Sequence, residues 1–196
     1  MKLLLIADND SQLLACEALC RGSGLLPDDV TINVIPRDGT PKSILRRIRP
    51  LGRQWSMHLT QLVNSPKLSR FDAIGVFLTG SKLNDIRLAL QRRPYRPLLF
   101  CGFNGVVLDH FVEGISWRLG YDLICLSGPR DQDALEHLVA HTPYASQRCV
   151  LTGLQRNPAS ETPAPTSQRA KQMVFAEQVV MPSTSAERAS LVRLLA

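Results

Sequence analysis

The 196-residue sequence predicts an α/β fold, a parallel sheet with helices wound on both faces. Three observations carry that prediction. Short apolar runs alternate with amphipathic stretches from the first residues onward. From residue 72 the runs recur at about 25-residue intervals, each followed by a helical pattern, as βα units with right-handed crossovers require. Each run also ends in a small polar turn, most of them carrying glycine. A composition of 44% apolar and 20% charged residues suits a soluble globular chain and excludes a disordered one.

Taken in order, residues 2–7 (KLLLIA) form the first strand and turn polar at Asp8-Asn9-Asp10. That early stop, with no small-residue cleavage site, argues against a secretory leader, so a cytoplasmic protein is expected. Ser11 is a plausible N-cap, and Leu13, Leu14, Glu17, Ala18 and Arg21 follow at helical spacing until Gly22 and Gly24. Residues 30–35 (VTINVI) are β-branched and alternate, a second strand. Thr40-Pro41 places an N-cap before a first-turn proline, opening a basic helix that runs to Arg49 and stops at Pro50. Residues 51–64 read as a further helix with Trp55, Leu59 and Leu62 inward.

Strands then follow at 72–78 (DAIGVFL), 97–101 (PLLFC), 122–126 (DLICL) and 148–151 (RCVL). Helices are expected at 82–93, 106–119 and 131–140. Residues 1–153 thus read as one Rossmann-like, doubly wound domain. Residues 154–171 are rich in Pro, Ala, Ser and Thr without apolar periodicity, a linker by composition. Beyond it, a strand at 172–176 and a helix at 185–195 read as the opening of a truncated second domain, or as a segment that pairs with another copy of the chain.

The formal charge is +6, with eighteen arginines against five lysines. Arg37, Lys42, Arg46, Arg47, Arg49 and Arg53 form one cluster, and Arg87, Arg92, Arg93 and Arg96 a second. Such clusters suit an anionic membrane surface or a phosphorylated or carboxylated ligand, unless they are simply solvated helix faces. No nucleic-acid recognition motif accompanies them, so no specific nucleic-acid partner is expected. The five cysteines lack a zinc spacing. Cys16 and Cys20, four apart on a helix, suit core packing better than a two-ligand metal clip, and Cys101, Cys125 and Cys149 lie in strand-like runs. No metal and no cofactor is expected.

Ligands of open parallel sheets bind beyond the C-terminal ends of the strands. The loops there are Asp8-Asn9-Asp10, Thr79-Gly80-Ser81-Lys82, Gly102-Phe103-Asn104-Gly105, Ser127-Gly128-Pro129-Arg130 and Thr152-Gly153. Short turns of this kind are also the ordinary way to leave a strand; four glycine-bearing ones at one edge tilt the reading toward a ligand. GxGxxG, GxxxxGK[ST] and GxSxG are all absent. A phospho-acceptor receiver reading of Asp8 and Asp10 fails because Thr79-Gly80 occupies the place of a third aspartate. Candidate acids and bases are Asp8, Asp10, Asp109, His110 and Glu113, with His110 placed one turn into its helix.

The stretch from FDAIGVFLTGS through RPLLFCGFNG and the W-R pair Trp117-Arg118 to DLICLSGPRD resembles a bacterial family of glycosyltransferases of GT-B type. The tail MVFAEQVVMPSTSAERASLVRLL is similar to the opening of the second half of such proteins. The resemblance covers about residues 70–195 and implies two Rossmann-like domains facing a cleft, with no obligatory metal. It implies that this chain carries the acceptor-side, N-terminal half, inactive alone, of an enzyme transferring sugar from a nucleotide sugar to a glycan or lipid-linked acceptor. Asp8, Asp10 or His110 would then supply the base. Gly80, Ser81, Asn104, Gly105, Ser127 and Arg130 would shape the substrate cleft, and the protein would work in the cytoplasm or peripherally at the inner membrane. The alternative is a non-catalytic Rossmann-like binding or regulatory subunit.

Overall fold

The computed structural model describes residues 1–36, 42–103 and 110–152, without the side chains of 42–44. Seven parallel strands form one sheet: β1 (Leu3–Ala7), β2 (Val30–Val34), β3 (Arg53–Trp55), β4 (Ala73–Val76), β5 (Leu98–Gly102), β6 (Leu123–Leu126) and β7 (Cys149–Leu151). Their spatial order is β3-β2-β1-β4-β5-β6-β7. The chain builds leftward from β1, then returns to the other side of β1 and builds rightward. The strand order therefore reverses between β1 and β4, where Leu3 pairs in register with both Val30 and Ala73.

Alternate side chains of β1 divide the core in two, as the two-residue period of a strand requires. Leu3, Leu5 and Ala7 face one layer with α1 (Asp10–Ser23) and α2 (Lys42–Ile48), packed on Leu13, Cys16, Cys20 and Ile48. Leu4 and Ile6 face the other, with α3 (Leu59–Asn64), α4 (Ser81–Gln91), α5 (Phe111–Ser116) and α6 (Pro129–Val139). The sheet is thus covered on both faces, the Rossmann-like α/β architecture. In β4, Gly75 lets two core side chains close over the strand: a Cβ there would lie 2.4 Å from Cζ of Phe100 and 2.8 Å from Cδ2 of Leu5.

The strands expected within residues 1–153 form, but residues 51–64 do not make one helix. They hold β3, a turn, and α3 starting at Leu59. The sequence RQW has no apolar run, so its pairing is set from outside. Gly52 lies so close beneath β2 that a Cβ would meet the Val30 carbonyl oxygen at 2.6 Å. Beyond the strand, the buried amide of Asn33 accepts from Met57 N–H at 3.0 Å and donates to Met57 C=O at 3.1 Å, taking the place of a neighbouring backbone. Trp55 sits edge-on to Phe71, their centroids 5.5 Å apart. Helix α1 is capped by Asn9 rather than Ser11: its Oδ1 accepts from Gln12 N–H at 3.0 Å and from the Ser11 hydroxyl at 2.9 Å. The Thr40-Pro41 cap, Asn104, Gly105, Asp109, the linker at 154–171 and the strand and helix expected after it lie outside the described residues.

Candidate functional site

At the reversal of strand order, the loops leaving β1 and β4 diverge and expose the strand ends, the place where open parallel sheets take ligands. Asp8 follows β1 directly and is 6% exposed. Its backbone N–H donates to Gln12 Oε1 at 2.6 Å. Its carboxylate receives Lys82 Nζ at 2.5 Å on Oδ2 and, at a longer 3.3 Å, Asn9 Nδ2 on Oδ1. Lys82 comes from the first turn of α4, so this ion pair joins β1 to the helix that follows β4. Its side chain is 50% exposed, which leaves the ammonium open to solvent on one side.

Gly80 precedes α4 with φ of 61°, a left-handed conformation that favours glycine, and it offers the helix no side-chain cap. The N–H groups of the exposed Ser81 and Lys82 therefore have no side-chain cap, while that of Leu83 donates to the Gly80 carbonyl at 3.1 Å. Beneath Asp8, Nε2 of the buried Gln12 has no hydrogen-bond partner. The crevice thus combines one nearly buried carboxylate, one half-open ammonium and unpaired amide donors.

The expected site residues separate into groups. Asp8, Gly80 and Ser81 converge at the reversal point. Asp10 is exposed on α1, and its Oδ1 accepts the neighbouring Ser11 N–H at 3.0 Å. His110 stands at the N-cap of α5, not one turn inside a helix, with φ of 58°. Its side chain is 84% exposed and reaches Glu113 Oε2 at 3.7 Å. Ser127 and Arg130 follow β6, three strands from β1 and so roughly 14 Å away across the sheet. Ser127 N–H donates to Asp131 Oδ2 at 3.3 Å, and Arg130 is exposed.

Arg118 has a structural place that its sequence does not announce. Its buried guanidinium donates from Nε and Nη2 to the Gly102 carbonyl at 3.2 and 3.1 Å, and from Nη1 to the Gly114 carbonyl at 2.6 Å. It lies 3.8 Å over the Phe103 ring. Burial lowers its affinity for the proton from the ordinary arginine value, with Cys101 and Tyr121 acting the other way. It ties α5 to the end of β5. Lys82 and Gln12 were missed as site residues. Lys82 had a signal, its first-turn position after a glycine turn, whereas Gln12 had none.

Two clefts, of about 230 and 330 Å³, lie at the opposite edge of the sheet. Both are lined by residues that precede β4 to β7, so neither belongs to the crevice just described. Among the described residues no group of His, Cys, Asp or Glu could hold a metal ion.

An open parallel sheet covered by helices on both faces, with the strand order reversing beside β1, defines a Rossmann-like α/β protein. The chain belongs to a family whose model carries the description "Putative glycosyltransferase (DUF6716)" and matches residues 3–196. No curated protein matches it.

Proposed function

We propose that the chain serves glycosyl transfer as the acceptor-side half of a GT-B enzyme, with residues 154–171 linking it to the opening of a donor-side domain. Membership of the family supports the reaction class. The observation that carries the site is the Asp8–Lys82 pair across the reversal point. Asp8 is the base. Lys82 holds Oδ2, while Oδ1 has a single long contact from Asn9 and can accept a proton from an acceptor hydroxyl. As that proton passes to Asp8, the acceptor oxygen bonds to the anomeric carbon of a nucleotide sugar, and the nucleotide leaves with the electron pair of the broken bond. Gly80, Ser81 and the free N–H groups of α4 line the acceptor side.

The same ion pair also favours a second reading. A carboxylate engaged by lysine can serve as a fixed hydrogen-bonding group in a non-catalytic binding subunit. One experiment separates the two. A glycan array identifies a bound acceptor, and the chain with that acceptor is assayed for nucleotide release from UDP-, GDP- and CMP-sugars, alone and with the donor-side domain of a family member supplied in trans. The enzyme reading expects glycan binding by the chain alone. It expects turnover only with both halves, and loss of turnover by at least about a hundredfold in Asp8→Asn with binding retained. Binding without turnover in any combination establishes the subunit reading. Turnover by the chain alone would show that the donor site lies elsewhere than proposed.

A further inference from the structure

We infer that the edge of the sheet opposite the crevice docks on an anionic lipid surface, through the groove between the turn before β4 and the turn before β5. The inference does not rest on the glycosyl-transfer reading. The groove, of about 330 Å³, is lined by Leu68, Leu90, Arg93, Pro94, Tyr95 and Pro97, with Ser69 at its side. Its character is set by how those residues are held. Arg93 spends its guanidinium on the carbonyls of Ser65 and Val63, closing the floor instead of presenting a charge. Tyr95 turns its hydroxyl inward to the Phe71 carbonyl at 3.3 Å, so its ring, 46% exposed, shows its apolar side to solvent. Leu98, three residues beyond, is 49% exposed.

Exposed cations flank this apolar floor. Lys67 and Arg70 bracket its residues Leu68 and Ser69 along the chain, and Arg92 and Arg96 bracket Arg93, Pro94 and Tyr95. The carboxylates of this edge are already engaged: Asp72 accepts the Lys2 backbone N–H at 2.7 Å, and Asp122 accepts Arg96 at 2.6 Å and Leu99 N–H at 2.8 Å. Arg70 and Arg92 have no anionic partner among the described residues. An apolar concavity rimmed by free guanidinium groups is complementary to a bilayer surface, where phosphates lie above acyl chains. It suits a nucleic acid less, because Tyr95 is the single exposed ring in the groove and the rest of its apolar lining, Leu68, Leu90, Pro94 and Pro97, offers no further platform for stacked bases.

The same geometry moves the membrane contact away from the basic helix α2. Arg47 of α2 is bound to the buried Glu17 at 2.7 Å, a carboxylate it shares with Arg21 at 3.0 Å.

The test is co-sedimentation of the full chain with phosphatidylcholine vesicles, pure or mixed with phosphatidylglycerol. Binding is expected with the mixed vesicles and to weaken with salt. A cation near an anionic surface contributes a factor of about five, so Arg70→Glu/Arg92→Glu should lower partition at least about thirtyfold. Arg46→Glu/Arg49→Glu should bind nearly as the parent does, and circular dichroism verifies that both variants fold. Tyr95→Trp should show quenching by brominated lipid beyond that of the parent, whose own Trp55 and Trp117 also emit, and the difference reads insertion of the groove. The inference is overturned by equal binding to both vesicles, by loss in the α2-side variant alone, or by an unquenched probe. It is also overturned if an oligonucleotide displaces the chain from vesicles through the same two arginines.

Discussion

Replacing Gly75 by alanine reverses the usual effect of that change. In a strand, glycine to alanine ordinarily stabilises by about 0.5–1 kcal/mol, because it restricts the unfolded chain. Here the added methyl carbon would lie 2.4 Å from Cζ of Phe100 and 2.8 Å from Cδ2 of Leu5. Carbon atoms rest about 3.5–4.0 Å apart, so the Phe100 ring must withdraw by more than about 1 Å. The Leu5 methyl can rotate aside, but the ring is a rigid lever. It is already edge-on to Phe77 at 6.3 Å, with both rings buried. Overpacking of this kind costs about 1–3 kcal/mol and disturbs an aromatic pair worth about 0.5–1.5 kcal/mol. Net destabilisation should be about 2 kcal/mol, a fall of about 4–8 °C in Tm for a chain of this size. Urea unfolding followed by circular dichroism measures it, with an unchanged m-value expected. Adding Phe100→Leu should recover about 1 kcal/mol through coupling at the contact. An alanine variant as stable as the parent, or more stable, would refute the packing derived for β4.

The thiols give a second prediction: burial pushes Cys20 and Cys125 up from 9.0 to about 11 and raises Cys16 and Cys101 as well. At pH 8 a disulfide reagent should react promptly with at most Cys149, and with the other four only on unfolding. Between pH 9 and pH 11 the unfolded chain binds fewer protons than the folded one, so stability should fall as pH rises through that window, measurable by urea titration at each pH. Arg118→Lys should destabilise by about 2–3 kcal/mol, close to the effect of Arg118→Met, because an ammonium cannot span the Gly102 and Gly114 carbonyls as the planar fork does. Equal stability of the lysine variant and the parent in urea would show that charge alone suffices there.

Much of the fold was legible because its signals are local. The runs LLLIA, VTINV, AIGV, LLFCG and LICL are strand-forming by side-chain type, and their turns mark the crevice edge. β3 was not legible, since RQW is held by contacts at its two ends, Gly52 against Val30 before it and Met57 on Asn33 after it. In the site, Asp8, Gly80 and Ser81 followed from their places after β1 and β4. Their closeness depends on the reversal of strand order, which puts residues 74 apart within one ion pair. The same order separates Ser127 and Arg130 from them. The shift of His110 to a helix cap comes from its left-handed backbone, which no neighbouring residue type foretells. Arg118 reads in sequence as half of a W-R pair, and its role lies in two carbonyls that only the folded chain brings within reach.

The clasping of β3 bears on how this edge can vary. Three residues of strand hold little by themselves, and an edge so short ordinarily accepts insertions and deletions freely. Here the chain is pinned before the strand, where Gly52 passes under Val30, and again after it, where Asn33 grips both polar groups of Met57. The interval between the pins has a fixed length. One residue added between Gly52 and Met57 would either lift the first pin or leave the buried Asn33 amide without its two partners. This edge of the sheet is therefore gauged like a fitted link, free in its side chains and inflexible in its count.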